Sequence, residues 1–517
     1  MERLTALSVL LAMSAWLLFA APQQVTASYS VGVGIADVTG PSAEVGFMGY
    51  AKLGQKGRGI HLRQFARAFI IDDGQQRFAF VSVDSAMIGN GLRRAVLARL
   101  QQIYGDLYTE QNVMISATHT HSTPGGYMHD LLFDLSVLGF VRQSFMALTA
   151  GIIISVRKAH DSMTSGRVYV THGDLHDVSI NRSPTAYLAN PAAERAKYKH
   201  DVDKRMVQLR LVRDDGVPVG VINWFAVHPT SMNNTNIMVS SDNVGYAAIL
   251  FEQRLNPGML IGKGSFVAAF ASSNLGDVSP NTKGGRCQFS GRPCDAHTST
   301  CSGRREMCIA AGPGADMFES TRMVAEKLFD KAWKLWNDDG AQEVTGSIGV
   351  IHQFVDMPSQ KVEYLDPVTS NPVQVQGCLP AMGYSFAAGT TDGPGTFTFR
   401  QGMKTENPLW NVVRNFLSPP TECDVTCHAP KPILLATGQM EFPFEWQPRI
   451  VSTQLAFIGS VAIACVPGEF TTMAGRRLRD AVTDNVARLG GPSISEVIVA
   501  GLCNTYSDYV TTPEEYE

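Results

Sequence analysis

The sequence predicts an α/β fold in which a mixed or largely parallel sheet is flanked by helices. Two observations lead to this prediction. Short apolar runs rich in Val, Ile and Phe alternate with longer segments that have the apolar spacing of helices, a pattern typical of α/β domains. The composition, 44% hydrophobic and 17% charged, is that of a globular protein with a sizeable core.

The predicted elements follow one another to the end of the chain. Strands are expected at 65–71, 77–83, 113–117, 167–171, 206–212, 219–227, 266–271, 346–351, 453–466 and 496–502. Helices are expected at 92–104, 132–159, 241–255, 315–336 and 471–488. Ser241 or Asp242 is expected to cap the third helix, and Thr471 or Thr472 the last.

The length leaves open one large domain or two closely packed ones, and no linker is evident. We expect a single domain over 28–517. The stretch 359–445, rich in Pro, Gly and Thr, is predicted to be a loop-rich insertion within it.

Residues 1–27 are predicted to be a signal peptide. Arg3 precedes an apolar run over 4–21, and Val25-Thr26-Ala27 fits a small-residue cleavage site. A mature chain beginning at Ser28 would be secreted. The alternative is an uncleaved signal anchor that holds the protein at the plasma membrane, because the run approaches the roughly 20 residues needed to span a bilayer.

The charge argues against nucleic acid as a partner. The net charge is -4 and the pI is near 6.3, and no cluster of Lys and Arg is interleaved with aromatic residues.

The nine cysteines indicate an oxidising compartment. Four of them stand at seven-residue intervals in a Gly/Ser/Thr/Arg-rich segment, Cys287, Cys294, Cys301 and Cys308. We interpret this segment as a stapled loop rather than a zinc site, since C-x-x-C spacing is missing, and spacing alone permits three pairings. A second group comprises Cys378, Cys423 and Cys427, whereas Cys465 and Cys503 lie in apolar runs and are predicted to be buried thiols. Sequons at Asn181 and Asn233 are compatible with a secreted glycoprotein, although such short motifs often occur by chance.

Several predicted strands end in polar loops that carry reactive side chains. His119 and His121 follow the strand 113–117, His228 follows 219–227, and Glu469 follows 453–466. Ligands bind at the carboxyl ends of strands in α/β sheets, so we expect these loops to converge on one pocket. Histidines with a carboxylate suit Zn²⁺, which acidifies a bound water and polarises a carbonyl, and hydrolysis is therefore the predicted reaction class.

Each residue of this set also has a purely structural interpretation. The two neighbouring histidines could form hydrogen bonds at a strand end, and Glu469 could stabilise the start of a helix. Arg182 could hold an oxyanion or a substrate hydroxyl, or be an ordinary surface arginine. Ser279 lies in no G-x-S-x-G elbow, which argues against an ordinary α/β-hydrolase triad.

At these residues the chain resembles the neutral ceramidase family. The resemblance runs from about Val31 to the last residue and is carried by THTHS-PGG at 118–126, NWFAVHPTSMNN at 223–234, SDNVGYA at 241–247, NLGDVSPN at 274–281, VPGEFTTMAGRRLR at 466–479 and GLCNTYSDYVTTPEEY at 501–516. It implies a zinc-dependent amidase that converts ceramide, drawn from a membrane surface, into sphingosine and a free fatty acid. Two alternatives stay open: a zinc amidase for another N-acyl lipid or N-acyl amino acid, and a truncated, non-catalytic lipid-binding protein.

The resemblance also implies residue roles. One zinc ion would be held by His119, His228, Glu469 and Tyr509. His121 would serve as general acid/base or hydrogen-bond partner, and Arg182 and Tyr506 would line the head-group pocket. Ser279 matches the serine often assigned as nucleophile, although it could instead orient the substrate. A groove for the hydrocarbon chains is expected near Phe47, Met48 and 131–140.

Two further expectations come from the same resemblance. Cys287 is expected to pair with Cys301, Cys294 with Cys308, and Cys378 with Cys427. Family members continue into an immunoglobulin-like carboxyl-terminal domain, and we expect that domain to be absent from this sequence, which ends at Glu517.

Overall fold

The computed structural model describes residues 29–516 except 366–368, 370, 396 and 398. The predicted signal peptide lies outside the described residues. Of the described helices, none alone is long and apolar enough to cross a membrane. The bent pair Leu131–Val137 and Arg142–Asp161, which meets at 116°, passes that test only when taken together.

The largest sheet has nine strands. Its spatial order is Val267–Ser272, Pro218–Phe225, Arg205–Arg213, Thr164–Asp174, Tyr29–Asp37, Phe65–Asp72, Arg77–Val83 and Val113–Ala117, with Gln342–Val344 added beside Thr164–Asp174. The pairs at the two ends of this order are parallel and the others are antiparallel. The sheet is therefore mixed, as expected, with antiparallel pairing in the majority.

This sheet curls until its opposite edges meet. The hydroxyl of Ser272, on one edge strand, donates a hydrogen bond to the carbonyl oxygen of Ala117, on the other, at 2.7 Å. The curl follows from the twist of the strands, which accumulates across so many of them. The curl brings the loop after Val113–Ala117 next to the loop after Pro218–Phe225.

A second sheet of four strands covers one face of the first. It consists of Ile348–Asp356, Ile450–Ile458, Val461–Cys465 and Glu496–Ala500, the last pair parallel. Buried side chains of both sheets, among them Phe69, Trp224, Ile463 and Ile498, form one core. Sequence periodicity predicts these strands but not that they form a separate layer.

Helices cover the outer face of the large sheet. Asn90–Tyr104 and Arg142–Asp161 pack on one half of it, and Asp242–Leu255 and Met317–Trp336 on the other. The other helices are Leu131–Asp134, Pro184–Ala189, Ala192–Arg195, Tyr384–Ala387, Pro408–Leu417, Glu422–His428, Thr472–Arg488 and Pro513–Tyr516, with 3₁₀ turns at Gly105–Leu107, Leu135–Val137, Met357–Ser359 and Thr437–Gln439. The predicted α/β class is confirmed.

Two predicted elements are divided in the structure. The helix expected at 132–159 is interrupted after Val137, because Leu138 and Gly139 have φ angles of 68° and 107° that no helix continues through. The strand expected at 453–466 turns back after Ile458, where Gly459 adopts a φ of 52°. The prediction for the last helix holds, since the Thr471 hydroxyl accepts a hydrogen bond from the N–H of Ala474.

The stretch 359–445 contains more regular structure than expected. Besides three of the helices above it holds the hairpin Lys361–Leu365 with Pro372–Gln376, and Met382–Gly383 pairs with Ile433–Leu435. Short pairs elsewhere are Ala43–Met48 with Lys56–Arg58 and Thr123–Pro124, Ile180–Asn181 with Val278–Ser279, Gly285–Cys287 with Cys308–Ala310, and Glu469–Phe470 with Tyr509–Val510.

All three expected disulfides are present, Cys287–Cys301, Cys294–Cys308 and Cys378–Cys427. The prediction that Cys465 and Cys503 are buried thiols is wrong, because they form a fourth disulfide with 5.4 Å between their Cα atoms. Parallel pairing sets Cys465 beside Ala500, and the chain then turns and carries Cys503 back to it. Of the described cysteines, Cys423 alone is free, and it is exposed.

Candidate functional site

Three buried histidines form the centre of the site. His119 and His121 follow the edge strand Val113–Ala117, and His228 follows Pro218–Phe225, so the curl of the sheet brings them together. Their available ring nitrogens lie within 4.8 Å of one another, and the Nε2 atoms of His119 and His121 are 3.1 Å apart. A cluster of this kind could hold a metal ion.

Glu469 completes the cluster from the segment that follows Val461–Cys465 of the second sheet. One carboxylate oxygen, Oε1, lies 3.1 Å from His119 Nε2, and the other, Oε2, lies 3.0 Å from His228 Nε2. The hydroxyl of Tyr506 donates a hydrogen bond to Oε1 at 2.6 Å. Burial alone would raise the pKa of Glu469, but His119 and His228 outweigh it and hold that pKa well below its usual value. The alternative that Glu469 stabilises the start of a helix is wrong, because Thr471 caps the helix Thr472–Arg488.

Tyr509 reaches the cluster because its strand pairs with that of Glu469 in parallel register. Its hydroxyl accepts a hydrogen bond from Arg182 Nη2 at 2.9 Å. Burial, with the nearby Glu469, raises the pKa of Tyr509. Sequence periodicity gives no reason to select Tyr509, whose position depends on the contact between two distant segments.

The outer contacts of the histidines fix which nitrogen faces the cluster. His119 Nδ1 lies 2.7 Å from the carbonyl oxygen of Ala86, and His228 Nδ1 lies 3.0 Å from that of Val278. Both Nδ1 atoms donate to these carbonyl oxygens, so both Nε2 atoms are directed at the carboxylate of Glu469. Two imidazole nitrogens, each 3.0–3.1 Å from a carboxylate oxygen, form a compact set of nitrogen and oxygen donors. The donor set fits a divalent metal.

His121 differs from the other two histidines. Its ring packs edge-on against Tyr50, with ring centroids 4.5 Å apart, and its Nδ1 atom is buried and makes no hydrogen bond with the described residues. Burial, reinforced by His119 and His228, lowers the pKa of His121 well below its usual value. A neutral imidazole with a free nitrogen can accept a proton.

Arg182 is buried beside the cluster, so the surface interpretation is wrong. Its Nη2 atom donates to His228 Nε2 and to the carbonyl oxygen of Gly276, both at 2.9 Å. Its Nη1 atom forms an ion pair with Asp392 at 3.1 Å. The guanidinium adds fixed positive charge next to the histidines, where a developing oxyanion could be stabilised.

Ser279 is buried and hydrogen-bonded to Asp392. Its hydroxyl donates a hydrogen bond of 2.6 Å to Asp392 Oδ1, and the amide of Asn281 donates to the same oxygen at 2.8 Å. Sequence reasoning missed Asp392 because it lies in the stretch 359–445, interpreted as surface loops. Its only local signal is an acidic residue in the Gly-rich turn that continues to Gly395.

A cavity of about 1970 Å³ opens over the cluster. Its polar part includes His119, His121, Arg182, Glu469, Tyr506 and Tyr509, whereas Ser279 is not among the described residues that line it. Its apolar wall comes mainly from the stretch 359–445, with Met382, Phe386, Phe399, Trp410 and Leu434.

The predicted chain groove is only partly correct. Leu132 lines the cavity, but Phe47 and Met48 do not, because their strand pairs with Thr123–Pro124 and both side chains are buried. Sequence analysis therefore missed most of the wall, since irregular segments carry no periodic signal of burial.

Comparison with known proteins identifies the family. The sequence model described as neutral/alkaline non-lysosomal ceramidase, N-terminal, matches residues 29–517. The chain is 54% identical to the neutral ceramidase of Drosophila melanogaster over 498 residues, which are 95% of this chain and 71% of that protein. It is 47% identical to neutral ceramidase B of Dictyostelium discoideum over 95% of this chain and 68% of the relative.

Solved structures give the same result. The crystal structure of neutral ceramidase from Pseudomonas aeruginosa superposes with a TM-score of 0.77 at 35% identity, covering 95% of this chain and 70% of that one. A structure described as ceramidase complexed with C2 gives 0.79 at 37% identity, over the same shares. These similarities show that the chain belongs to the neutral/alkaline non-lysosomal ceramidase family.

Proposed function

We propose that this protein hydrolyses the N-acyl amide bond of ceramide, releasing sphingosine and a free fatty acid, with one Zn²⁺ held by His119, His228, Glu469 and Tyr509. The observation that carries the proposal is the polar cluster at the buried part of a large, mostly apolar cavity. Such a cavity suits a substrate that has two hydrocarbon chains and a small polar head.

The choice of zinc rests on the donor set. Nitrogen and carboxylate oxygen ligands in a compact, buried cluster are typical of catalytic zinc sites, where one position stays open for water or substrate. When bound, zinc supplies Lewis-acid polarisation of a carbonyl and a more acidic water. A phenol oxygen is an uncommon ligand, and Arg182, which donates to Tyr509 at 2.9 Å, opposes the effect of burial, which raises the pKa of that phenol.

The side chains around the cluster divide the remaining work. His121, which lines the cavity and has a free buried Nδ1, takes up or returns the proton during amide cleavage. Arg182 stabilises negative charge on the former carbonyl oxygen, and Tyr506 holds Glu469 and borders the head-group pocket.

For Ser279 we favour an orienting role over that of nucleophile. Its hydroxyl proton is directed at Asp392, its oxygen accepts from the N–H of Asn281 at 3.0 Å, and it is buried behind the cavity surface. Through Asp392 it helps to fix Arg182.

A secreted location is proposed from the four disulfides and the sequence over 1–27. Of the two sequons, Asn233 is the proposed glycan acceptor. The amide nitrogen of Asn181 is buried and donates to Asp277 and to the carbonyl oxygen of Asp201, at 2.7 and 2.9 Å.

The test combines metal analysis with turnover. We expect about one zinc per chain by elemental analysis, together with release of fatty acid from a labelled ceramide. The variant His119→Ala should lose both, whereas His172→Ala, a half-exposed histidine outside the cluster, should keep both. If the wild-type protein is folded but has neither metal nor turnover, the alternative of a non-catalytic lipid-binding protein remains. If another N-acyl lipid competes better than ceramide, the alternative of a zinc amidase for that lipid is favoured.

A further inference from the structure

One helix in the wall of the cavity has an exposed apolar outer face. The helix Pro408–Leu417 is capped by Asn407, whose side chain accepts a hydrogen bond from the N–H of Leu409 at 3.0 Å. Leu409, Val412 and Phe416 stand one turn apart and are 71%, 68% and 88% exposed. We call these three side chains the outer stripe.

The inner face of the same helix is already packed. Trp410 contacts Phe397 and Phe399, with ring centroids 4.8 and 5.3 Å apart, and lines the cavity. Arg414, the one charged residue of the helix, is turned inward and donates to the carbonyl oxygen of Ile433 at 3.0 Å. The outer stripe therefore does not hold the helix in place. A helix that is apolar on both faces is expected to be buried on both, in a protein core or in lipid.

A second exposed apolar group belongs to the same cavity. Leu135, Leu138 and Phe140 are 41%, 78% and 50% exposed, and they follow directly on Leu132, which lines the cavity. Two separate wall segments thus present uncovered apolar side chains to solvent. Contiguous exposed apolar surface marks an interaction site.

We propose that the outer stripe inserts into the surface of a lipid bilayer and places the cavity against it. The inference rests on the proposed function, because ceramide resides in bilayers and its chains would otherwise cross water, which is unfavourable for every methylene group. Val413 provides the continuity, since it lines the cavity and is also 40% exposed beside the stripe. The substrate then passes from lipid to cavity along an apolar path.

The test measures binding to vesicles of phosphatidylcholine without ceramide, by co-sedimentation. The variant Phe416→Glu is compared with Leu260→Glu, a control that is 78% exposed in a loop away from the cavity. Burial of one phenylalanine corresponds to about a 10- to 100-fold change in partitioning, so Phe416→Glu should bind that much more weakly while Leu260→Glu binds like wild type. The double variant Leu409→Ser/Val412→Ser should behave like Phe416→Glu.

Turnover of a short-chain ceramide dispersed in detergent micelles separates the two proposals. It should be unchanged in all these variants, since none of the altered residues lines the cavity. Wild-type protein that turns over this substrate but does not bind vesicles, or stripe variants that bind like wild type, would refute the membrane inference alone. If wild-type protein dimerises without binding vesicles, and Phe416→Glu abolishes the dimer, the outer stripe contacts a second copy of the chain. That result would also refute the membrane inference. Absence of wild-type turnover would instead refute the proposed function.

Discussion

Replacing Asp392 by Asn should strongly impair catalysis with little change in shape. The substitution removes the negative charge of a carboxylate that pairs with Arg182 Nη1 at 3.1 Å. The same carboxylate accepts a hydrogen bond from the Ser279 hydroxyl at 2.6 Å. Both partners are buried, so no water replaces the lost interactions.

The magnitude follows from these contacts. A hydrogen bond to a charged group contributes about 1.5–3 kcal/mol, and each 1.36 kcal/mol is about tenfold in rate. If Arg182 stabilises the transition state only when Asp392 holds it, kcat for dispersed ceramide should fall by about 10- to 150-fold. KM should change less, since the cavity wall that receives the hydrocarbon chains is intact.

The matched control is Asp424→Asn. Asp424 is also buried in the stretch 359–445, but its carboxylate caps the local helix Glu422–His428 through Thr421. The variant Asp424→Asn should lower the melting temperature and leave kcat unchanged. The reasoning about Asp392 fails if Asp392→Asn keeps its zinc, its melting temperature and a kcat within twofold of wild type. A loss of kcat in Ser279→Ala equal to that in Asp392→Asn would show that Asp392 acts through the serine.

Three further predictions follow from single groups. Glu469→Gln should lose most of its bound zinc in elemental analysis, because a neutral amide is a weaker ligand than a carboxylate and does not offset the charge of the cation; full retention of metal would remove Glu469 from the proposed ligands. Burial raises the pKa of Asp242 to about 7, so the folded protein keeps this carboxyl protonated where the unfolded chain has lost the proton. The unfolding free energy should therefore fall by about 1.4 kcal/mol for each pH unit between about pH 4 and pH 7. Asp242→Asn should flatten this part of a profile of melting temperature against pH. The Cys465–Cys503 disulfide closes a separation of 38 residues, so Cys465→Ser should destabilise the fold by about 4 kcal/mol in chemical unfolding, whereas Cys423→Ser should have no effect.

The polar loops at strand ends were predictable because they follow a local rule. A strand that is buried on both faces is a continuous apolar run, and the first polar residues after it, such as His119 and His228, mark its end. The resemblance added Tyr509 as an expected ligand, which its residue type does not suggest. The disulfide-bonded loop with four cysteines was also predictable from their spacing, although the pairing of those cysteines was not.

Other features were lost because they depend on distant contacts. Asp392 lies 113 residues from Ser279 along the chain, and nothing near it in sequence marks it as buried. The fourth disulfide depends on a parallel strand pair, and the predicted long helix failed at Leu138 and Gly139, where backbone geometry outweighs apolar spacing.

The sequence by itself determined most of the long strands, the positions of the long helices, the family and the residue types of the site, because periodicity and motifs are local properties of a chain. It did not predict the strand Tyr29–Asp37, which lies inside the large sheet. Only the tertiary structure decided that the edges of the large sheet meet, that His119, His228 and Glu469 share one centre, and that residues 378–448 wall the cavity. These contacts join segments hundreds of residues apart. Their formation depends on how the twisted sheets pack, which no local pattern encodes.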